Sequence, residues 1–164
     1  MSGIIRRTEK RIRTWRQDLI KRLFGSRRGR KSVLDALDRR ILSMTLDGGD
    51  HLITFAPHEL VGRHIYSDGH FDRDRVEELV GMLDRRGLVP LKGMTVVEVG
   101  ANIGTQTVYF CRTGKVRRLL AVEPDSRNLK LLARNIEDNA LADIVSVAPV
   151  AISDAAAAGE PTAP

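Results

Sequence analysis

Residues 96–110 read VVEVGANIGTQTVYF, and residues 122–125 read VEPD. In the first stretch an apolar run delivers Glu98 near its end, passes Gly100 and Gly104, and then takes on helical spacing. Strand 95–99 alternates little, so it is expected to be buried on both faces, with Glu98 near the carboxyl end where open parallel sheets bind ligands. Gly100 and Gly104 frame a turn that lets backbone approach a ligand, and the first amides of a helix starting near Ile103 are expected to point into the same crevice. Glu123 stands twenty-three residues after Gly100 at the tip of the next apolar run, where a carboxylate can accept hydrogen bonds from a ribose diol.

Working outward, the pattern is regular. Apolar runs at 95–99, 119–122 and 144–152 alternate with helices expected over 103–112 and 127–138, and Asn139 is read as a left-handed helix cap. Three strands alternating with two helices demand a parallel sheet with right-handed crossovers, an α/β architecture. Upstream, helices are expected over Val33–Leu46 and Asp72–Arg86, the latter stopped by Gly87. Between them DGGD (47–50) reads as a turn and HLITFA (51–56) as a short strand.

The chain has 164 residues, 42% hydrophobic and 4% aromatic, enough for an aliphatic core. Charge is unevenly placed. Residues 1–31 hold twelve Lys and Arg against Glu9 and Asp18, a net +10, so with +6 overall the remainder carries −4. The basic balance therefore belongs to an arm rather than to the body. In that arm Ile12, Trp15, Leu19, Ile20, Leu23 and Phe24 recur at helical spacing, as in a cationic amphipathic helix. Such a helix can pack on its own domain, lie on an anionic membrane surface, dock on an acidic partner or meet nucleic-acid phosphates. GSRRGRKS (25–32) reads as a flexible basic linker.

No apolar run approaches the ~20 residues of a membrane span, and the N-terminus lacks the apolar core of a secretory signal. A soluble cytoplasmic chain is expected, with contact to an anionic surface confined to residues 1–31. Cys111 is the sole cysteine, so no disulfide within the chain is possible, and VYFCRTG marks it as a small core residue. The histidines at 51, 58, 64 and 70 lack the spacing of helical ligand pairs, and no metal site is expected.

The loop's chemistry selects among nucleotide ligands. A dinucleotide needs the middle glycine of G-x-G-x-x-G, and here that position is Asn102. Glu98 would also repel a pyrophosphate, whereas the sulfonium and ammonium of S-adenosylmethionine suit an acidic strand end. A nicotinamide-dependent oxidoreductase is thus the disfavoured reading. The remaining alternative is that the glycines only make a tight turn and Glu123 only caps the next helix.

TVVEVGANIGTQTVYF, AVEPDSRNLKLLARNIEDN and VAISD together resemble the FkbM-type S-adenosylmethionine-dependent methyltransferases, in which a G-A-N-x-G loop, an E-P-D turn and an N-x-x-x-N helix end recur in this order. The resemblance covers about Gly62 to Asp154, and the segment ELVGRHIYSDGHFDRDRVEELVGMLDRRGLV is similar to the family's helical lead-in. It implies a Rossmann-like, doubly wound parallel sheet of class I methyltransferase type. It further implies O-methyl transfer to a hydroxyl of a small molecule or sugar. By position, Glu98, Gly100, Ala101, Asn102 and Gly104 would hold the methionine part, Glu123 the ribose diol, and Pro124 and Asp125 the flank of the adenosine. Asp154 or the backbone at Ile152 would approach the adenine edge.

The family's sheet has seven strands in the order 3-2-1-4-5-7-6, and only the first three have counterparts here. The fourth, ending in I-K-x-D-x-E-G beside the methyl group, has none, so no catalytic base or acceptor pocket is assigned. The expected organisation is a basic arm and linker (1–32), a helical lead-in with a short strand (33–92), a partial Rossmann-like domain (93–154) and a disordered tail (155–164). Such a partial domain is expected to be weakly active or inactive alone, with β-strand 95–99 exposing an unpaired edge and apolar surface. The alternative is a non-catalytic interaction protein whose cationic helix docks on membrane or nucleic acid.

Overall fold

The computed structural model describes residues 24–152 together with Asp18, Lys21 and Arg22. Asp18, Lys21, Arg22, Phe24 and Gly25 are helical. The rest of the amphipathic helix expected in the arm, and the tail expected at 155–164, lie outside the described residues. The described residues form two compact units, one of those up to residue 46 together with 55–70, the other of 47–54 together with 71–152. Among the described residues no helix is long and apolar enough to cross a membrane.

In the first unit, α1 runs Arg27–Asp35 through the segment read as a linker. Ser26 explains this: its side chain caps the helix by accepting from Gly29 N–H at 3.0 Å, satisfying one of the amides a helix start leaves open. The helix expected to continue to Leu46 stops at Asp35. There Asp38 takes over the backbone, its carboxylate accepting from Arg40 N–H at 2.9 Å and its carbonyl from Ile41 N–H at 2.9 Å, the local competition that unwinds helices at such residues. Leu42, within the helix expected over Val33–Leu46, is exposed, and Met44–Asp47 is a strand, β1. β2 is Leu52–Phe55, within the stretch expected.

Helix α2, Leu60–Asp68, ends at Gly69 in the left-handed conformation. Gly62 within it lies so close to Ala56 O that a Cβ would come to 2.0 Å, so only glycine fits. Arg30 of α1 donates to Ser67 O, while Arg27 pairs with Asp68 and Arg63 with Asp35, tying α1 to α2. Leu34 and Ile65 are buried in this unit.

The second unit contains α3 (Arg73–Arg85) and the alternating series β3 (Met94–Val99), α4 (Thr105–Arg112), β4 (Val116–Val122), α5 (Ser126–Asp138) and β5 (Val145–Ala148). The three strands are all parallel in the order β3-β4-β5, with Glu98 opposite Ala121 and Val122 opposite Ala148. This is the α/β architecture expected, with the first strand of the series paired on one side by the second. Val76 and Val80 of α3 pack with Tyr109 of α4, and Met94 and Phe110 flank them.

The expectation that β3 is buried on both faces fails. Its residues alternate, Val97 and Val99 being 59% and 63% exposed, while register partners on the other face, such as Ala121 opposite Glu98, are buried. Parallel crossovers of one hand place consecutive helices on one side of the sheet. Leu119, Ala121 and Val145 accordingly lie under helices, and the face bearing Val97, Val99 and Leu120 is open among the described residues. Among the described residues β3 pairs with β4 alone, and this edge together with exposed Val97 and Val99 matches the exposure expected for this strand.

Two further boundaries shift. Asn139, expected as a left-handed cap, has φ −101°, and the positive φ falls on Ala140. The reason lies in its side chain, which is occupied elsewhere: it donates to Leu52 O at 2.6 Å and Asn135 O at 2.7 Å and accepts from Leu52 N–H at 3.0 Å. Strand β5 ends at Ala148, four residues short of the apolar run that suggested it.

Candidate functional site

The site residues gather where β3 and β4 end. Gly100, Asn102 and Gly104 all have positive φ (80°, 53° and 83°), so the segment between β3 and α4 is a chain of left-handed turns. Asn is among the few side chains that tolerate this region, and Asn102 stabilises its own turn by accepting Ile103 N–H on Oδ1 at 2.8 Å. At Gly104 a Cβ would lie 2.5 Å from Leu132 Cδ1, so close packing of α5 adds to the backbone requirement. Ala101 is buried. Helix α4 begins at Thr105, two residues later than the spacing indicated.

The helix amides expected to face the crevice from Ile103 onward begin two residues later, at Thr105, and the loop before them turns its own amides inward. Gly100 and Ala101 N–H donate to Val122 O at 2.9 and 3.0 Å, Asn102 N–H to Glu123 Oε2 at 2.8 Å, Ile103 N–H to Asn102 Oδ1, and Gly104 N–H to Ala101 O at 2.8 Å. All five consecutive donors are consumed within the protein. A phosphate-binding loop requires the reverse, with amides pointing outward at the anion.

The two acids occupy the same side of the sheet: Glu98 is the register partner of Ala121, and Glu123 lies two residues beyond it. Glu123 is 5% exposed. Its Oε2 accepts Asn102 N–H, and its Oε1 accepts Asp125 N–H at 2.9 Å and Asn128 Nδ2 at 3.2 Å. A carboxylate has about four acceptor positions, so one remains on Oε2. A ribose diol addressing both oxygens would take that position and displace the longest bond, from Asn128.

Glu98 is differently placed. Its Oε2 accepts Thr107 Oγ1 at 2.6 Å from the first turn of α4. Burial pushes its carboxyl up to about 7, against the opposing pull of the Thr107 hydroxyl and amide. It thus sits at the border between neutral and ionised near physiological pH, and a cation nearby would favour the ionised form. Cys111, expected in the core, is only half-buried, and that burial pushes its thiol up to about 11.

Asp125 and Pro124 flank these acids. Asp125 caps α5, accepting Arg127 N–H at 2.8 Å and Asn128 N–H at 3.3 Å, and its bonds to Arg127 hold its carboxyl down at about 2. The helix cap once weighed for Glu123 is therefore made by Asp125, which leaves Glu123 facing the loop. Pro124 is exposed. Ile152 is exposed, and Asp154 lies outside the described residues.

Thr107 and Asn128 escaped sequence reasoning, and Asn135, the first Asn of the N-x-x-x-N helix end, had no contacts assigned to it. Asn135 is fully buried and satisfies three backbone groups at once, accepting Thr54 N–H at 2.6 Å and donating to Thr54 O at 3.0 Å and Ile103 O at 2.7 Å. It joins β2 to the underside of the loop. Besides the N-x-x-x-N motif, its place as a polar residue among Leu132 and Ile136 on the apolar side of the helix pointed to a buried role. Among the four histidines, His51 is buried, bonded through Nδ1 to Asp50 Oδ1 at 2.6 Å and packed edge-on to Tyr109. No cluster of three metal-ligating side chains occurs among the described residues.

No family model matches the chain, and no curated protein matches it. Among solved structures it is similar to a tRNA methyltransferase from M. jannaschii, with 13% identity and a TM-score of 0.45 over 65% of this chain and 28% of that one. It is also similar to the tRNA (uracil-54, C5)-methyltransferase from Pyrococcus abyssi in complex with S-adenosyl-L-homocysteine, with 17% identity and a TM-score of 0.42 over 65% of this chain and 24% of that one. A third similarity is to an O-methyltransferase from Bacillus cereus in complex with SAH, with 17% identity and a TM-score of 0.30 over 52% of this chain and 47% of that one. The chain spans less than half the length of each.

Proposed function

We propose that the chain carries the donor-binding part of an S-adenosylmethionine-dependent methyltransferase of FkbM type, whose acceptor is a hydroxyl of a small molecule or sugar. The observation that carries this reading is the composition of the site: two carboxylates at adjacent strand tips, joined by a loop whose five amides are all internally bonded. Such a loop offers the two carboxylates as acceptors and keeps its own five amides from a ligand. It favours a ligand with positive charge and hydroxyl donors and disfavours pyrophosphate, which weighs against a nicotinamide dinucleotide.

In this reading Glu98, Gly100, Ala101, Asn102 and Gly104 hold the methionine part, Glu123 accepts from the ribose diol, and Pro124 and Asp125 border the adenosine. The donor supplies an electrophilic methyl group when bound. The chain's own work is to fix the loop's shape, through Glu123, Asn135 and the left-handed turns, and to place the Glu98 charge beside a cation. Because a bound cation favours ionised Glu98, donor affinity should rise as pH increases through about 7 and fall in acid.

Thermal unfolding of the whole chain with S-adenosylmethionine, S-adenosylhomocysteine or NAD added tests the assignment. Stabilisation by the first two and none by NAD is expected, since a ligand that binds only the native state raises its unfolding temperature. Stabilisation by NAD alone would replace the methyl-donor reading with the dinucleotide one.

A further inference from the structure

A groove of about 450 Å³ opens between α1 and α2. Its walls carry Arg27, Arg28 and Lys31 from α1 and Arg63 and His64 from α2, with buried Leu34 at its floor. Arg27 and Arg63 are held in place by Asp68 and Asp35. Arg28 and Lys31 are exposed and have no hydrogen-bond or ion-pair partner to their side chains among the described residues. The groove therefore has positive charge in excess of its own acids, at positions one helical turn apart.

We propose that this groove receives the phosphodiester backbone of a nucleic acid. Three observations select that ligand over other anions. The uncompensated cations Arg28 and Lys31 stand one turn apart on α1 along a trough whose other wall carries Arg63, which suits a chain of phosphates rather than one. The residues entering α1 continue the charge, with exposed Lys21 and Arg22 before Arg27. The site is concave, and its apolar lining is confined to Leu34, which is buried, and Leu60. A bilayer surface instead asks for a protruding apolar ridge flanked by cations.

The test is fluorescence anisotropy of the full chain with a labelled mixed-sequence oligonucleotide across a range of salt. Two double variants are compared: Arg28→Glu with Lys31→Glu in the groove, and Arg85→Glu with Arg86→Glu at the exposed end of α3. Both remove the same net charge, so their difference isolates place from amount. The groove variant should bind about tenfold or more weaker and lose about 1 to 2 from the slope of log affinity against log salt, while the α3 variant stays near the parent. Equal weakening by both variants, or absence of oligonucleotide binding by the parent, would overturn the proposal. So would a groove variant that loses binding to phosphatidylserine vesicles and keeps its oligonucleotide affinity.

Discussion

The tips of β3 and β4 each present one carboxylate on the same side of the sheet, and they are treated in opposite ways. Glu123, at the end of β4, is enclosed and receives three donors, from Asn102, Asp125 and Asn128. Glu98, on β3, is less enclosed, and the Thr107 side chain and amide are its counterweight to burial, so its carboxyl is pushed up to about 7. They differ in the number of donors that each receives. Glu123 shapes the loop through its three bonds, and Glu98 is an acid whose charge depends on what lies beside it.

The sharpest way to break this contrast is Glu123→Gln. An amide placed among three donors turns its own N–H toward one of them and leaves a buried donor unpaired, so a loss of about 3 kcal/mol is expected. Chemical denaturation measures it, and a loss below ~1 kcal/mol would mean Glu123 is not the loop's anchor.

Gly104→Ala tests the loop itself. Its φ of 83° and the approach of Leu132 to 2.5 Å both oppose a methyl group, and a loss of about 2 kcal/mol is expected. Unchanged denaturation would show that the loop relaxes freely.

Glu98→Gln should act in the other direction. Above the unfolded value of 4.5 the unfolded chain has lost this proton while the native state retains it up to about 7, so native Glu98 destabilises progressively over that window and fully above it. Removing the charge should stabilise the chain by about 2 kcal/mol at pH 8 and leave it unchanged near pH 4. The difference between denaturation curves at the two pH values checks this, and a stabilisation independent of pH would contradict it. The smallest effect belongs to Asn128→Ala, which removes the longest of the Glu123 bonds and should cost about 1 kcal/mol.

The α/β series was legible because its signals are local and repeated: runs of Val, Ile and Leu at strand length, helical spacing between them, and Gly100, Gly104 and Glu123 at the junctions. Its topology followed from the parallel-crossover rule. The upstream region was less so. Ser26 as a cap and Asp38 as a local turn each outweighed the apolar spacing of residues 33–46, and a one-residue cap is invisible to a pattern that averages over a dozen positions. In the site, the identity and location of the acids were legible, whereas the direction of the loop amides was not. Sequence marks where glycines stand, but which carbonyl or carboxylate takes each N–H depends on partners such as Val122 and Glu123, about twenty residues away. Asn135 was marked by the N-x-x-x-N helix end, but its partner was hidden for the same reason, since Thr54 lies 81 residues from it.

The most direct test of the central claim is calorimetric titration of the whole chain with S-adenosylmethionine at pH 5.5 and pH 8, repeated with Glu123→Gln. The account predicts measurable binding that is tighter at pH 8, with protons released on binding as Glu98 ionises, and loss of that binding in the variant. Binding of equal strength at both pH values and in the variant, or no heat of binding by the parent chain at either pH, would contradict it.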